Sequence, residues 1–457
     1  MKNNVIHRTD TIGSLSLLAV VVIFVCAFIL MIPVLVNGFP FIFPDSGDYL
    51  VFTPRLYRSP FYGLFIFFFH WNWFIWGPVI AQALIASHLI WLTLGVFTTY
   101  YRIRNFFISI IILTAFSSLP FFVGFIMADL FTAIMFLVMY LIAFHFEKLG
   151  FYLRFYLLLL GCVAMAANIA NLTMAFVMLI LLTILFLWCS RSLAATGRRM
   201  VLLSIPIVLT AAATLLNNVV IHHTFSLSPA GQSFFMANLI EYGPAEKYLK
   251  EVCPGTGYKI CAYVDRFPIT ANGLLWETGI FQKLGGFKGM KDESERIVAE
   301  TIKRYPVAVA QATMHNIMRA LVTWEPGAEL MPEVNVPSMN VLLTQKFGAQ
   351  ANTAYMGSME MQGLVPHKTL RIISYTAVSF SLIIFCILTI ICLREGKPEN
   401  VAFIMFIVCS VLCDAVLCAS LSGVYDRYQA RVTWLLIFAA ILLVLQRVTE
   451  NKLKQAD

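Results

Sequence analysis

Long apolar runs, one after another, decide what this chain can become. Nearly uncharged stretches of membrane-spanning length cover 14–36, 76–99, 106–127, 129–146, 200–220, 371–393, 400–420 and 432–447. A bilayer core about 30 Å thick takes about 20 residues of α-helix, and inside it only helices and closed barrels satisfy their own backbone. The run from Phe155 to Trp188 is too long for one span and is interrupted by NIANLT, Asn168 to Thr173. It reads as a tight hairpin of two short helices. The sequence therefore predicts an all-α polytopic membrane protein with about ten transmembrane helices. With 60% hydrophobic and 12% charged residues, a soluble globular class is excluded.

Charge sets the orientation. Fourteen Lys and Arg, among them Arg102, Arg104, Arg198, Arg199 and Arg447, fall in loops and tails on one side of the ten-span arrangement. The short loops on the other side hold four arginines: Arg55, Arg58, Arg427 and Arg431. Positive residues stay cytoplasmic, so both termini are expected inside. The expected plan is a membrane bundle over 1–220, a mostly helical extracytoplasmic domain over 221–370, and a second bundle over 371–457. The first apolar run exceeds a signal-peptide core and no small-x-small cleavage site follows it, so it reads as a retained span. The net charge of +8 is largely cytoplasmic flank charge facing anionic lipid. No long basic run interleaved with aromatics points to nucleic acid.

Of ten cysteines, eight lie in apolar spans, where a thiol behaves as a small hydrophobe. Cys253 and Cys261 are alone in the outer segment, in CPGTGYKIC, and an oxidising compartment favours a disulfide between them. Zinc is the rival reading and lacks partners, because His222 and His223 are distant and carry no ligand spacing. Asp292 with Glu295 resembles a capping box opening a helix through Ile302. Pro306 begins another, with Met314, Ile317, Met318 and Leu321 on one stripe.

The candidate chemistry sits at the outer boundary. Arginines kept on translocated loops against the charge bias suggest a bound anion, and Arg427 and Arg431 share a helix face with Tyr428 alongside. Guanidinium groups hold phosphate oxygens in pairs; snorkelling to headgroups is the plainer role. Asp45 and Asp48, in FPDSGDYLVFTPRLYRSP, share a face if Pro44 opens a helical turn; otherwise one caps that turn and the other is solvated. Asp129, in FIMADLFTAIMF, is a functional candidate because charge at that depth is costly, or it simply starts the next helix at its dipole. Asn168, Asn171, Asn217 and Asn218 reach the same boundary. Asp414 reads as a buried packing group, and His70, Trp71, Trp73 and Trp76 as an interfacial belt.

Taken together, PDSGDY after the first span, YRSPFYGLF, MADLF and the late DRYQARV give the chain a resemblance to the GT-C superfamily of integral-membrane glycosyltransferases. The resemblance covers the architecture of the whole chain, though each motif is short. It implies a polyprenyl-phosphate-linked sugar as donor, an extracytoplasmic glycan, lipid or protein as acceptor, and a place in a bacterial inner membrane. Asp45 then corresponds to the catalytic first-loop acid, with Asp48 and Asp129 as further acids. Arg55, Arg58, Arg427, Tyr428, Arg431 and Asn171 become substrate-binding candidates. One acid in the second loop instead of a pair leaves a divalent metal ion open. A transporter or flippase is the alternative, although no paired repeats appear; a non-catalytic assembly protein is the second.

Overall fold

Apolar length decides where the helices form, and prolines decide where several of them stop. The computed structural model describes residues 16–98, 100–253, 255–332 and 336–456. It is 78% helix, with no strand among the described residues. Seven of its helices are long and apolar enough to cross a membrane. The amino-terminal flank with Lys2 and Arg8, and Pro254 of the expected turn, lie outside the described residues.

The first bundle contains α1 (Leu17–Leu30), α2 (Ile32–Asn37), α3 (Ser46–Val51), α4 (Pro60–His70), α5 (Gly77–Phe97), α6 (Arg102–Phe116) and α7 (Leu119–Gly124). It continues with α8 (Leu130–His145), α9 (Phe151–Ala167), α10 (Ile169–Ser190) and α11 (Leu193–His222). Two apolar runs are each broken in two. The first divides at Met31, because Pro33 has no N–H and its ring opposes the preceding turn; the third divides at Ser117 and Ser118, ahead of Pro120. The long run divides at Asn168, whose extended backbone ends α9 and whose side chain accepts the Ala170 amide to cap α10.

The outer segment contains α12 (Gly231–Glu241), α13 (Pro244–Val252), α14 (Ile280–Lys283), α15 (Gly286–Gly289), α16 (Lys291–Arg304), α17 (Pro306–Ala320), α18 (Val336–Phe347) and α19 (Ala349–Met356). It does not pack as one unit. Leu239, Leu249, Leu274, Phe281 and Ile297 form a core of their own, whereas Leu330, Leu343, Tyr355 and Met361 join the core of the membrane bundle. A disulfide joins Cys253 to Cys261, with Cα atoms 5.2 Å apart.

The capping box is not formed. Helix α16 starts one residue before Asp292, with Met290 at its cap. Glu293 instead accepts the amides of Lys259 and Ile260, both at 3.0 Å, tying the disulfide loop to α16. The expected stripe on α17 also divides. Ile317 and Leu321 pack against Ala415 and Ala419, while Met314 and Met318 are exposed.

Helices α20 (His367–Arg394), α21 (Pro398–Leu421) and α22 (Asp426–Ala456) complete the bundle. The start of α8, the end of α21 and the start of α22 meet at one end, where Arg431 bridges Asp129 and Asp414. Away from that end, Tyr140 of α8 packs on Phe403 of α21. Trp71 and Trp73 are exposed beside α4, but His70 is buried.

Candidate functional site

The chain leaving α2 is carried across the bundle by main-chain pairing. Phe41 donates to the Gly124 carbonyl at 3.0 Å and accepts from the Ile126 amide at 3.1 Å. A methyl group on Gly124 would lie 2.7 Å from Val34 and 2.8 Å from Phe41, so only glycine permits this approach. Gln82 of α5 locks the pairing, donating to the carbonyls of Val123 and Phe125 at 2.9 and 2.8 Å while accepting the Tyr62 hydroxyl. From the other side, Glu360 accepts the Ile42 amide at 3.3 Å and Asn37 accepts the Glu360 amide at 2.8 Å. These contacts bring the loop bearing Asp45 up to the turn bearing Asp129.

The resulting cavity has a volume of about 1100 Å³, at the upper end of the range for small-ligand sites. Asp45, Asp48, Tyr57 and Arg58 line it from the first loop, and Arg427, Tyr428 and Arg431 from α22. Asp129 and Glu329 join them, with Leu417 and Leu421 of α21 supplying apolar wall. Gln232, Phe234, Asn272 and Trp276 come from the outer segment.

Asp45, Asp48, Asp129 and Glu329 each meet an arginine. Arg58 lies 2.6 Å from Asp45 and 3.4 Å from Asp48, and Asp48 also pairs with Arg55 at 3.1 Å. Asp45 stands at the cap position of α3 but makes no capping hydrogen bond. Asp129 likewise precedes α8 without capping it. Its carboxylate accepts Nη1 of Arg431 at 2.9 Å. Arg427 lies 3.2 Å from Glu329, 3.8 Å from Asp45 and 3.9 Å from Asp129, with its guanidinium 4.1 Å above the Phe43 ring.

Two carboxyls outside the spans are displaced in opposite directions. Burial acts to raise Asp45, but the charges of Arg58 and Arg427 and the bond from Arg58 outweigh it, holding the carboxyl below its usual range. Glu329 is pushed up to about 7, mainly by burial, with Asp129, Asp45 and Asp426 adding to the rise against Arg427.

Several expected roles change. Arg431 is 1% exposed and held between Asp129 and Asp414, the latter at 2.6 Å. A guanidinium so saturated is an internal strut and not an anion receptor, and Asp414 is its counterion. Asn171 is wholly buried, accepting the Thr132 hydroxyl at 2.8 Å and donating to the Ala164 carbonyl. It joins α8, α9 and α10 and does not line the cavity. Arg55, nearly half exposed, is also absent from the lining. Asn217 and Asn218 border a separate void of about 20 Å³, large enough for a water. Glu329 was not singled out from the sequence; the only hint is an acid between apolar residues in GAELM.

Among the described residues, no group of three or more His, Cys, Asp or Glu side chains is arranged to hold a metal ion. Asp45, Asp48, Asp129 and Glu329 are each set against an arginine, so these four carboxylates do not fit a resident divalent cation. No protein-family model, curated protein or solved structure matches the chain.

Proposed function

We propose that this protein is a membrane glycosyltransferase that moves a sugar from a polyprenyl phosphate to an extracytoplasmic glycan, lipid or protein acceptor. The observation that carries the reading is Arg427. Its Nε and Nη1 are buried without hydrogen-bond partners, in a cavity where Arg431 is held by Asp129 and Asp414 and Arg58, with only its Nε unpartnered, is held by Asp45. A buried guanidinium with unused donors suits a phosphate oxygen. In this reading α1–α2, α6–α7 and α9 also cross the membrane, bringing the seven long spans to ten. Both termini are cytoplasmic, in a bacterial inner membrane.

The chemistry follows from the two charges beside the cavity. The acceptor hydroxyl oxygen attacks the anomeric carbon, the bond from that carbon to the phosphate oxygen breaks, and polyprenyl phosphate leaves. Asp45, ionised before the reaction, takes the hydroxyl proton. Arg58 and, less strongly, Arg427 hold its basicity low; a phosphate neutralising Arg427 lifts the second of these restraints and makes Asp45 a stronger acceptor. Arg427 stabilises the charge growing on the leaving phosphate in a site largely shielded from water.

Asp45→Asn preserves shape and removes the proton acceptor. With purified protein in liposomes and a polyprenyl-phosphate sugar, transfer should fall by on the order of 100-fold or more. Wild-type turnover in this variant would defeat the assignment. Lipid movement across the bilayer without transfer would favour the flippase alternative instead.

A further inference from the structure

Glu329 and Arg427 form an ion pair that is close but poorly made. Oε2 of Glu329 lies 3.2 Å from Nε of Arg427, yet both atoms, and Nη1 of Arg427, are buried without a hydrogen bond. The neighbouring arginines each make charged hydrogen bonds to an acid, Arg58 to Asp45 at 2.6 Å although its Nε is unpartnered, and Arg431 to Asp414 at 2.6 Å, whereas Arg427 makes none among the described residues. A charged pair out of hydrogen-bond alignment is weaker than a paired guanidinium–oxyanion contact, so a better-fitting anion can replace it. The groups facing Glu329 are Arg427 and Asp426 of α22, Tyr425 just before it, Asp129 at the start of α8, and Asp45 of the first loop. Arg427 is thus the cation opposed to Glu329, set against three carboxylates.

We propose that Glu329 is the exchangeable counterion of Arg427: an incoming phosphodiester displaces it from the guanidinium, and the freed carboxylate takes up one proton. The inference rests on the proposed role of Arg427 as the lipid-phosphate receptor. Burial already holds the Glu329 carboxyl at about 7. Exchange offsets the positive charge facing it with the phosphate's negative one, which raises it further. The complex therefore binds more protons than the free protein, and affinity must fall as pH rises above about 7. Below that, Glu329 is protonated beforehand and affinity is flat. Proton uptake also leaves Asp45 as the ionised carboxylate beside the sugar.

The test is binding of dodecyl methyl phosphate, a single-chain phosphodiester that carries one charge throughout, to the full chain in detergent between about pH 5.5 and 8.5. Wild-type affinity should be constant at the acid end and weaken by up to about tenfold per pH unit above about 7. Glu329→Gln should bind at every pH with the affinity the wild type shows at the acid end. His367, which pairs with Glu325 at 3.7 Å, is untouched by that substitution. A wild-type profile without slope, or a slope that survives in Glu329→Gln, overturns the exchange. If Arg427→Ala nevertheless abolishes binding, the phosphate site itself stands. Binding by Arg427→Ala equal to the wild type defeats both the exchange and the reading beneath it.

Discussion

Arg427 and Arg431 stand four residues apart on α22 and meet different surroundings. Arg431 neutralises Asp129 and Asp414, both inside the protein. Removing it leaves the buried Asp414 without a cation and Asp129 with only Arg427 at 3.9 Å, and Arg431→Ala should cost about 3–5 kcal/mol, read as a lower melting temperature in detergent. Unchanged melting would mean the strut is dispensable. Arg427→Ala should leave melting nearly unchanged and weaken donor binding by about 10- to 100-fold. Arg427→Lys should recover part, because an ammonium lacks the paired donors; full recovery would argue against paired contact. The sequence placed both arginines on one helical face through their spacing, and Asp129 and Asp45 near the same boundary. It did not distinguish the strut from the receptor, since that depends on Asp414 reaching Arg431 from another helix. Glu329 was not legible at all. It becomes a buried acid only once the chain after α17 folds over the start of α22, and no local pattern encodes that.

Elements matter here as carriers of those residues. The apolar runs announced the long helices because a bilayer fixes their length, and Pro33 and Pro120 explain why two runs break. What the runs did not reveal is the use of those breaks. After α2 and after α7 the chain has extended backbone free to pair, and Phe41 joins Gly124 and Ile126 there. Gln82, an isolated amide in an apolar helix, is the clasp. Gln82→Leu would strand the Val123 and Phe125 carbonyls and the Tyr62 hydroxyl without their partners, at about 1–3 kcal/mol for each buried group left unsatisfied. Gly124→Ala should cost about 1–3 kcal/mol by overpacking against Val34 and Phe41. Because this pairing delivers Asp45 to the cavity, both variants should lose transfer activity even at temperatures where they remain folded. A destabilised Gly124→Ala with full activity would show that the pairing supports only the fold. Melting curves and liposome assays on the same preparations separate the two.

At the scale of the whole molecule, the reading depends on which side of the membrane the cavity opens. The acids and arginines converge at the end of the bundle covered by the outer segment, while the helix-linking stretches holding Glu147 and Glu395 pair with Arg199 near the start of α11 and Arg447 towards the end of α22. The proposed ten crossings would place those stretches on the side of the termini, which the retention of positive loops would make the cytoplasm. Substituted cysteines test this directly, because the eight free thiols lie within helices dominated by apolar residues, which a charged, water-borne reagent reaches poorly. Lys288 and Lys454 are both exposed, one in the outer segment and one near the end of α22. In intact cells a membrane-impermeant maleimide should label Lys288→Cys and spare Lys454→Cys; after permeabilisation it should label both. Labelling of both in intact cells would put an even number of crossings between them in place of three, and labelling of Lys454→Cys alone would invert the orientation. In the inverted case the cavity would face a compartment where a polyprenyl-phosphate donor and an extracytoplasmic acceptor do not meet.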